Sequence, residues 1–498
     1  MYMVNIRLIP ALLLAAATPA FSEQDLGAMW GTAAAEATYY PITNIPIPAG
    51  VPLRVGSLEI LPDGRLAVGT RRGDIYFVDG AFESPPAPKY HLFATGQDEI
   101  FGLSWKDGAM TATQFGEVTR ISDTDGDDVA DQYDTLTNNW GYAEGHEFAF
   151  GSKHDPDGNI WVALGLSGSY HSNNIFRGWA VKVTPEGKMI PVCSGLRSPA
   201  GVGPNAEGVM FTIESQGPWN GCNSLKHLKQ GAFLGHPASY NWYSYVDGME
   251  TPRVIPDSQS RMQIEKKRVK ELVPPAVRFP YIKMGRSISG FRLNQTGGKF
   301  GPFENQIFLG DYTLSIILRA TMEEINGVWQ GACYPFREGL ATGLMHVEFS
   351  PRGQLIAGGF TTNSQWPVRG TEPYALQRID WSGLVPFEIK EINIKKQGFL
   401  IHFTKPVDVN IAAKPASYSI KTYTHIYAAG YGSPEVDHTV PRVTQAVPSK
   451  DGLSVMVSLD QITEGHIHDF DLTTMKSNDG DNLLHTKAYY TVNEIPEN

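Results

Sequence analysis

Cysteine is almost absent from this chain: among 498 residues only Cys193, Cys222 and Cys333 occur. An odd trio allows at most one internal disulfide, so a disulfide scaffold is excluded. With no Cys-x-x-Cys-His, covalent c-type haem is excluded too. Cys193 with Cys222 is the preferred pair, because they are close in sequence, with buried free thiols as the alternative. Long apolar runs are lacking beyond the N-terminal segment, so no stretch reads as a membrane span, and no lipid-accepting Cys follows that segment. Positive charge is also in deficit. Lys and Arg number 41 against 52 Asp and Glu, a formal net charge of −11, which argues against nucleic acid or an anionic membrane as partner. The first residues place Arg7 ahead of an apolar stretch from Ile9 and then small residues around Ala20 and Ser22. This pattern predicts a signal peptide over 1–22 and a secreted or periplasmic product.

What the chain has in quantity is turns that open into alternating strands. Asp63-Gly64, Asp107-Gly108, Asp157-Gly158, Glu207-Gly208 and Arg352-Gly353 each precede such a strand, and Asn305 begins another. A turn and a period-two strand recurring every ~45–50 residues is the signature of propeller blades. The expected fold is all-β, a six-bladed β-propeller over 40–383 followed by a β-sandwich over 386–498, with a turn-rich join around Trp381-Ser-Gly-Leu-Val-Pro386. A single sandwich over the whole chain is the alternative. Between Tyr240 and Pro280 lies an excursion carrying Lys266, Lys267, Arg268 and Lys270, either a ligand-gripping patch or a solvated face.

One acidic run has metal-ligand spacing. Asp123, Asp125, Asp127, Asp131 and Asp134 stand at positions 1, 3, 5, 9 and 12 of a loop, with the Val129 carbonyl at position 7. A hard cation needs several oxygens at once, and acids this close repel one another without one, so the loop is expected to bind structural calcium. A solvated acidic turn is the plainer alternative. Asp128 stands where Gly is usual, a position Asp tolerates because it visits left-handed backbone angles. In the sandwich region His466 and His468 alternate along a strand and could share a metal, copper for example, if His485 or His402 came near; the plainer reading is a polar strand face.

Propeller chemistry collects at the central axis, so polar residues just before each blade are the candidates. His146 and Glu147 precede blade three and Arg197 precedes blade four. An imidazole takes a proton near neutral pH, and a guanidinium grips a carboxylate or quinone oxygen. The bland reading is that they satisfy backbone groups at blade junctions. Trp161, Trp179, Trp219 and Trp366 are either sugar-stacking faces or blade core.

Gly195-Leu-Arg197-Ser-Pro199, the His146 segment and the six-blade rhythm resemble the soluble quinoprotein glucose and sorbosone dehydrogenases, six-bladed propellers holding pyrroloquinoline quinone beside calcium. Glu117 to Asp127, His146 to Gly151, Gly235-His-Pro-Ala-Ser239, Gly298 to Phe303 and Ala488 to Asn493 are similar to secreted sorbosone-dehydrogenase-like proteins of planctomycetes and their relatives, and that likeness spans nearly the whole mature chain. The resemblance implies oxidation of a sugar or sugar-derived alcohol or aldehyde, with His146 as base and Arg197 on the quinone. It leaves Lys283 or Arg286 to supply a further positive charge. The chain departs from the pattern at Ser198 and Ala200, where amides are expected, and at Tyr312 to Ser315, where an arginine pair is expected. Two other readings stand beside it: a quinone-free polysaccharide hydrolase or lyase using His146, Glu147, Glu214 or His236, and a non-catalytic glycan-binding protein with the sandwich as binding module. Substrate and electron acceptor stay open.

Overall fold

The structure is a computed structural model that describes residues 26, 29–143, 146–362 and 367–497. The expected signal peptide and Trp366 lie outside the described residues. Every turn signal noted above closes the hairpin between the first two strands of a four-stranded antiparallel blade. Blade one is Val55–Ile60, Leu66–Thr70, Ile75–Asp79 and Lys89–Ala94, and blade two is Gly102–Lys106, Ala109–Thr113, Val118–Ser122 and Gln132–Thr137. Blade three is Ala149–His154, Ile160–Leu164, Trp179–Val183 and Met189–Ser194, and blade four is Pro199–Pro204, Met210–Glu214, Asn223–His227 and Val277–Phe279. Blade five is Ile288–Leu293, Ile307–Asp311, Ile316–Ile325 and Val328–Arg337. Blade six takes Leu344–Phe349, Leu355–Phe360 and Tyr374–Ile379 from one end of the propeller and Ile42–Asn44 from the other.

That last pairing, Ile42 with Ile379 and Asn44 with Gln377, closes the ring by backbone hydrogen bonds between its two ends. The first strand of each blade touches the first strand of the next all the way round. Crowding at the axis selects small residues there: a Cβ on Gly102 would lie 2.3 Å from the carbonyl oxygen of Gly151 in the next blade. Second strands such as Leu66–Thr70 and Ile160–Leu164 are buried on both faces, because each sits between two neighbouring blades.

Residues from Ile389 onward build the sandwich. One sheet holds Ile389–Lys395, Gly398–Phe403, Ser454–Leu459 and Val443–Pro448. The other holds Lys487–Thr491, Ile467–Asp471, Ser419–His425 and Glu435–Thr439, and it continues blade five without a break. Strand Lys487–Thr491 pairs with Val328–Arg337, Ala332 facing Tyr490, so the outer edge of blade five is covered by hydrogen bonds instead of left open. The sandwich core takes Ala332 and Tyr334 from the propeller; its other buried members lie between Phe387 and Val492.

Two sequence expectations need correction. Cys193, Cys222 and Cys333 are all buried free thiols, not a disulfide pair with one left over. His466 and His468 are not a polar strand face, and among the described residues they belong to no group of metal-ligating side chains. Both are buried, His466 Nδ1 lies 3.0 Å from Thr422 Oγ1, and the His468 ring packs on Phe399. His485 is engaged elsewhere, between Glu36 and Glu388. The excursion of 240–280 folds as a 3-10 helix, Pro237–Tyr245, and an α-helix, Met262–Arg268. Lys266 and Arg268 are spent there in ion pairs with Glu494 and with Asp257 and Glu265.

Candidate functional site at the propeller axis

The segments leading into the first strands converge on one cavity of about 860 Å³. Asp98 and Glu99 come from the lead into blade two, His146 from that of blade three, Arg197 and Ser198 from blade four, and Arg286 and Ser287 from blade five. Arg71, just past the second strand of blade one, joins them. Phe101, Phe115, Tyr142, Phe148 and Phe360 give the wall a broad aromatic face.

The structure thus brings His146, Arg197 and Arg286 together. The His146 ring packs edge-on to Phe148. Burial, followed by the positive charges of Arg197 and Arg71, lowers its pKa below the usual histidine value, which favours the neutral imidazole. Arg197 is buried, and one terminal nitrogen donates to the carbonyls of Gln216 at 2.6 Å and Ser215 at 3.3 Å. Its Nε is buried with no partner among the described residues. Glu214 accepts hydrogen bonds from the backbone N–H groups of Arg197 and Ser198. The Arg286 Nε donates to Tyr281 Oη at 3.0 Å, and its backbone N–H donates to Asp311. Arg71 pairs with Glu99 at 2.9 Å and lies over the Phe148 and Phe360 rings.

Other sequence candidates stand apart from this cavity. Glu147 is buried behind it, accepting from Ala143 N–H, the Ser167 hydroxyl and Asn174 Nδ2; its carboxylate pins loops. Glu214 is likewise consumed, by two backbone amides and Lys226. His236 caps the Pro237–Tyr245 helix through Ala238 N–H, and its pKa is lowered to about 3 chiefly by burial. Lys283 is paired with Glu435 of the sandwich at 2.7 Å, away from the cavity lining. Trp179 is blade core, Trp161 donates to Asp155, and Trp219 packs on Tyr427; none of the three lines the cavity. Arg71, Asp98, Glu99 and Tyr431 were missed from sequence. Asp98 and Glu99 had a usable signal, since they occupy in blade two the place that His146 holds in blade three.

The acidic run forms the connection between the third and fourth strands of blade two. Asp123, Asp125 and Asp131 bring one oxygen each within 4.8 Å of the others. Asp123 accepts from Gly126 N–H at 2.7 Å and Asp128 N–H at 2.8 Å, and Asp127 accepts from Val129 N–H at 2.8 Å. Asp128 adopts φ +67°, as its turn position requires, and its carboxylate is bound by Arg65. Asp134 belongs to the fourth strand, where it accepts from Gln132 and stands outside that cluster.

A family model described as a domain of unknown function, DUF7133, matches residues 89–320. No curated protein matches. Among solved structures the chain is similar to the pyrroloquinoline quinone-bound aldose sugar dehydrogenase of Streptomyces coelicolor, with 14% identity and a TM-score of 0.49 over 68% of this chain and 98% of that one. It is similar to the holo form of the quinone domain of pyranose dehydrogenase from Coprinopsis cinerea, with 11% identity, a TM-score of 0.46 and coverage of 68% and 95%. The calcium structure of a Trichoderma reesei family AA12 carbohydrate-active enzyme is a further likeness, with 13% identity, a TM-score of 0.45 and coverage of 69% and 96%.

Proposed function

We propose that the protein is an exported oxidoreductase of the quinoprotein sugar-dehydrogenase type, working at the propeller axis on a sugar or sugar-derived alcohol or aldehyde. The observation that carries this reading is the convergence of His146 and a buried Arg197, whose Nε has no partner among the described residues, on one aromatic-walled cavity. The donor set fits pyrroloquinoline quinone, a flat aromatic tricarboxylate: Arg197 and Arg286 would hold its oxygens while the phenylalanine faces cover its ring. When bound there, the quinone supplies a two-electron acceptor for a hydride equivalent from the substrate carbon. An imidazole nitrogen of His146 accepts the substrate hydroxyl proton as the C–H bond breaks. Arg197, held against the Ser215 and Gln216 carbonyls, keeps positive charge where negative charge develops.

The loop 123–134 is proposed as a separate, structural calcium site, with Asp123, Asp125 and Asp131 as its nucleus and Asp127 and the Val129 carbonyl completing the shell. A second reading of the cavity, a quinone-free hydrolase or lyase, is supported by Asp98 and Glu99, two wall carboxyls whose pKa values are raised chiefly by burial.

Reconstitution decides between them. Purified protein is titrated with quinone and calcium, bound quinone is read by absorbance, and dye reduction is followed across a panel of sugars. Bound quinone with sugar-dependent dye reduction is expected. Wild-type protein that takes up no quinone overturns the dehydrogenase reading, and cleavage of a polysaccharide that is lost in Asp98→Asn or Glu99→Gln would establish the second.

A further inference from the structure

The axial cavity has one wall that the propeller does not supply. Tyr431 lies in the connection between strands Ser419–His425 and Glu435–Thr439 of the sandwich, yet it lines the cavity. Backbone bonds fix this connection to the propeller. Trp219 N–H donates to the Ala428 carbonyl at 2.7 Å, Gly432 N–H donates to the Gly217 carbonyl at 3.2 Å, and Tyr427 and Ser260 exchange a reciprocal pair at 3.0 and 3.1 Å. The Tyr427 hydroxyl donates to the Gly235 carbonyl. Gly432 sits at φ +68°, a left-handed backbone that favours glycine, and a Cβ there would lie 2.8 Å from Gln216 Cδ, so that side chain would have to shift.

Held this way, the Tyr431 ring covers the Arg197 guanidinium at 5.1 Å from its centroid. The guanidinium also lies against Gly217, where a Cβ would fall 2.2 Å from Arg197 Cζ. Tyr431 is nonetheless 49% exposed, a large aromatic surface kept open to the cavity on a pinned loop. The wall also carries neutral hydroxyls, Ser169, Ser198, Ser215, Ser287 and Ser289, and Ser289 Oγ is buried with no partner among the described residues. An aromatic face in a wall that also carries serine hydroxyls is complementary to a pyranose ring, whose C–H face is apolar and whose rim is hydroxyl.

We propose that Tyr431, contributed by the sandwich, is a ligand-binding residue of the axial site, stacking a pyranose ring of the substrate while fixing the Arg197 guanidinium. The sugar class rests on the proposed function; the composite wall rests on the geometry alone. The test uses full-length, quinone-free protein and saturation-transfer NMR with D-glucose, D-galactose and cellobiose as probes. Wild type is expected to bind at least one probe, Tyr431→Ala to weaken that binding about tenfold or more at an unchanged melting temperature, and Tyr431→Phe to stay within about twofold. No probe bound by wild type, equal binding by wild type and Tyr431→Ala, or loss in Tyr431→Phe equal to that in Tyr431→Ala each overturns the assignment. Quinone titration of the same samples is read separately, so a wild type that binds sugar but no quinone refutes the dehydrogenase reading and leaves Tyr431 in place.

Discussion

His485 Nδ1 lies 2.5 Å from Glu388 Oε1, and its other ring nitrogen lies 2.9 Å from Glu36 Oε1. Arg337 of blade five also reaches Glu36, at 3.1 Å. Three parts of the chain, the helix Ala33–Tyr39, blade five and the sandwich, thus meet in one buried charge network.

This network predicts an alkaline loss of stability. Burial alone lowers the His485 pKa, but the Glu388 charge and the bonds to both carboxylates raise it to about 9 from the ordinary 6.5. A folded-state pKa above the unfolded one stabilises fully below about pH 6.5 and is lost as pH rises through 9, roughly 3 kcal/mol in all. Thermal melts from pH 7 to 10 should therefore fall more steeply for wild type than for His485→Gln. Parallel profiles would show that the imidazole carries no linked charge.

His146 titrates the other way. With burial and the charges of Arg197 and Arg71 lowering its pKa, its NMR titration should be centred below the ordinary histidine value, and Arg197→Ala or Arg71→Ala should move it upward. As a base, the neutral ring is the active form, so the acid limb of turnover should follow the same shift. An unshifted midpoint in both variants would remove the two guanidinium groups as causes.

Much of the ring was legible from sequence because a propeller blade is local: one turn and its two flanking strands fit within a short window, and all six windows were visible. Closure by Ile42–Asn44 was not, since a three-residue strand finds its partner only across the whole propeller. The site shows the same division. His146 and Arg197 precede strands whose position was readable, Arg286 was pointed to only by the resemblance, and Tyr431 reaches the cavity through a loop of the sandwich. Glu147 and Glu214 had the right residue type at the right place, but backbone amides in need of acceptors claimed their carboxylates.

The loop 123–134 predicts a calcium-dependent melt. Asp127, ahead of burial and the other acids, raises the Asp125 pKa, the mark of unneutralised charge in a crowded loop. Calcium at one hundred times Kd should raise the melting temperature by roughly 3 °C over chelated protein. Asp125→Asn should reduce that rise. Identical melts in calcium and chelator, in protein assayed metal-free at the start, would refute calcium binding.

The proposed boundary near Pro386 makes a further prediction. Fragment 386–498 keeps every buried member of the sandwich core except Ala332 and Tyr334, so it should melt cooperatively on its own. It also loses the partner of strand Lys487–Thr491, which leaves an open edge. Sedimentation should therefore show concentration-dependent self-association that the full chain lacks. No cooperative melt would make the sandwich an extension of blade five.

Lys226 offers a test of how Arg197 is positioned. Its ammonium donates to Glu214 Oε2 and, at 2.9 Å, to the Leu234 carbonyl, with both members of the pair buried. Glu214 Oε1 meanwhile accepts the backbone N–H of Arg197 and of Ser198, so the ion pair underlies the turn that aims the guanidinium into the cavity. Removing one partner of a buried pair strands the other charge, so Lys226→Met should destabilise the fold by about 3–5 kcal/mol. Adding Glu214→Gln removes the stranded charge while keeping an acceptor for the two amides, so the double variant should melt closer to wild type than Lys226→Met alone. A double variant no more stable than the single one would mean that Lys226 acts through the Leu234 carbonyl, and that the Glu214 charge is not what holds the Arg197 turn.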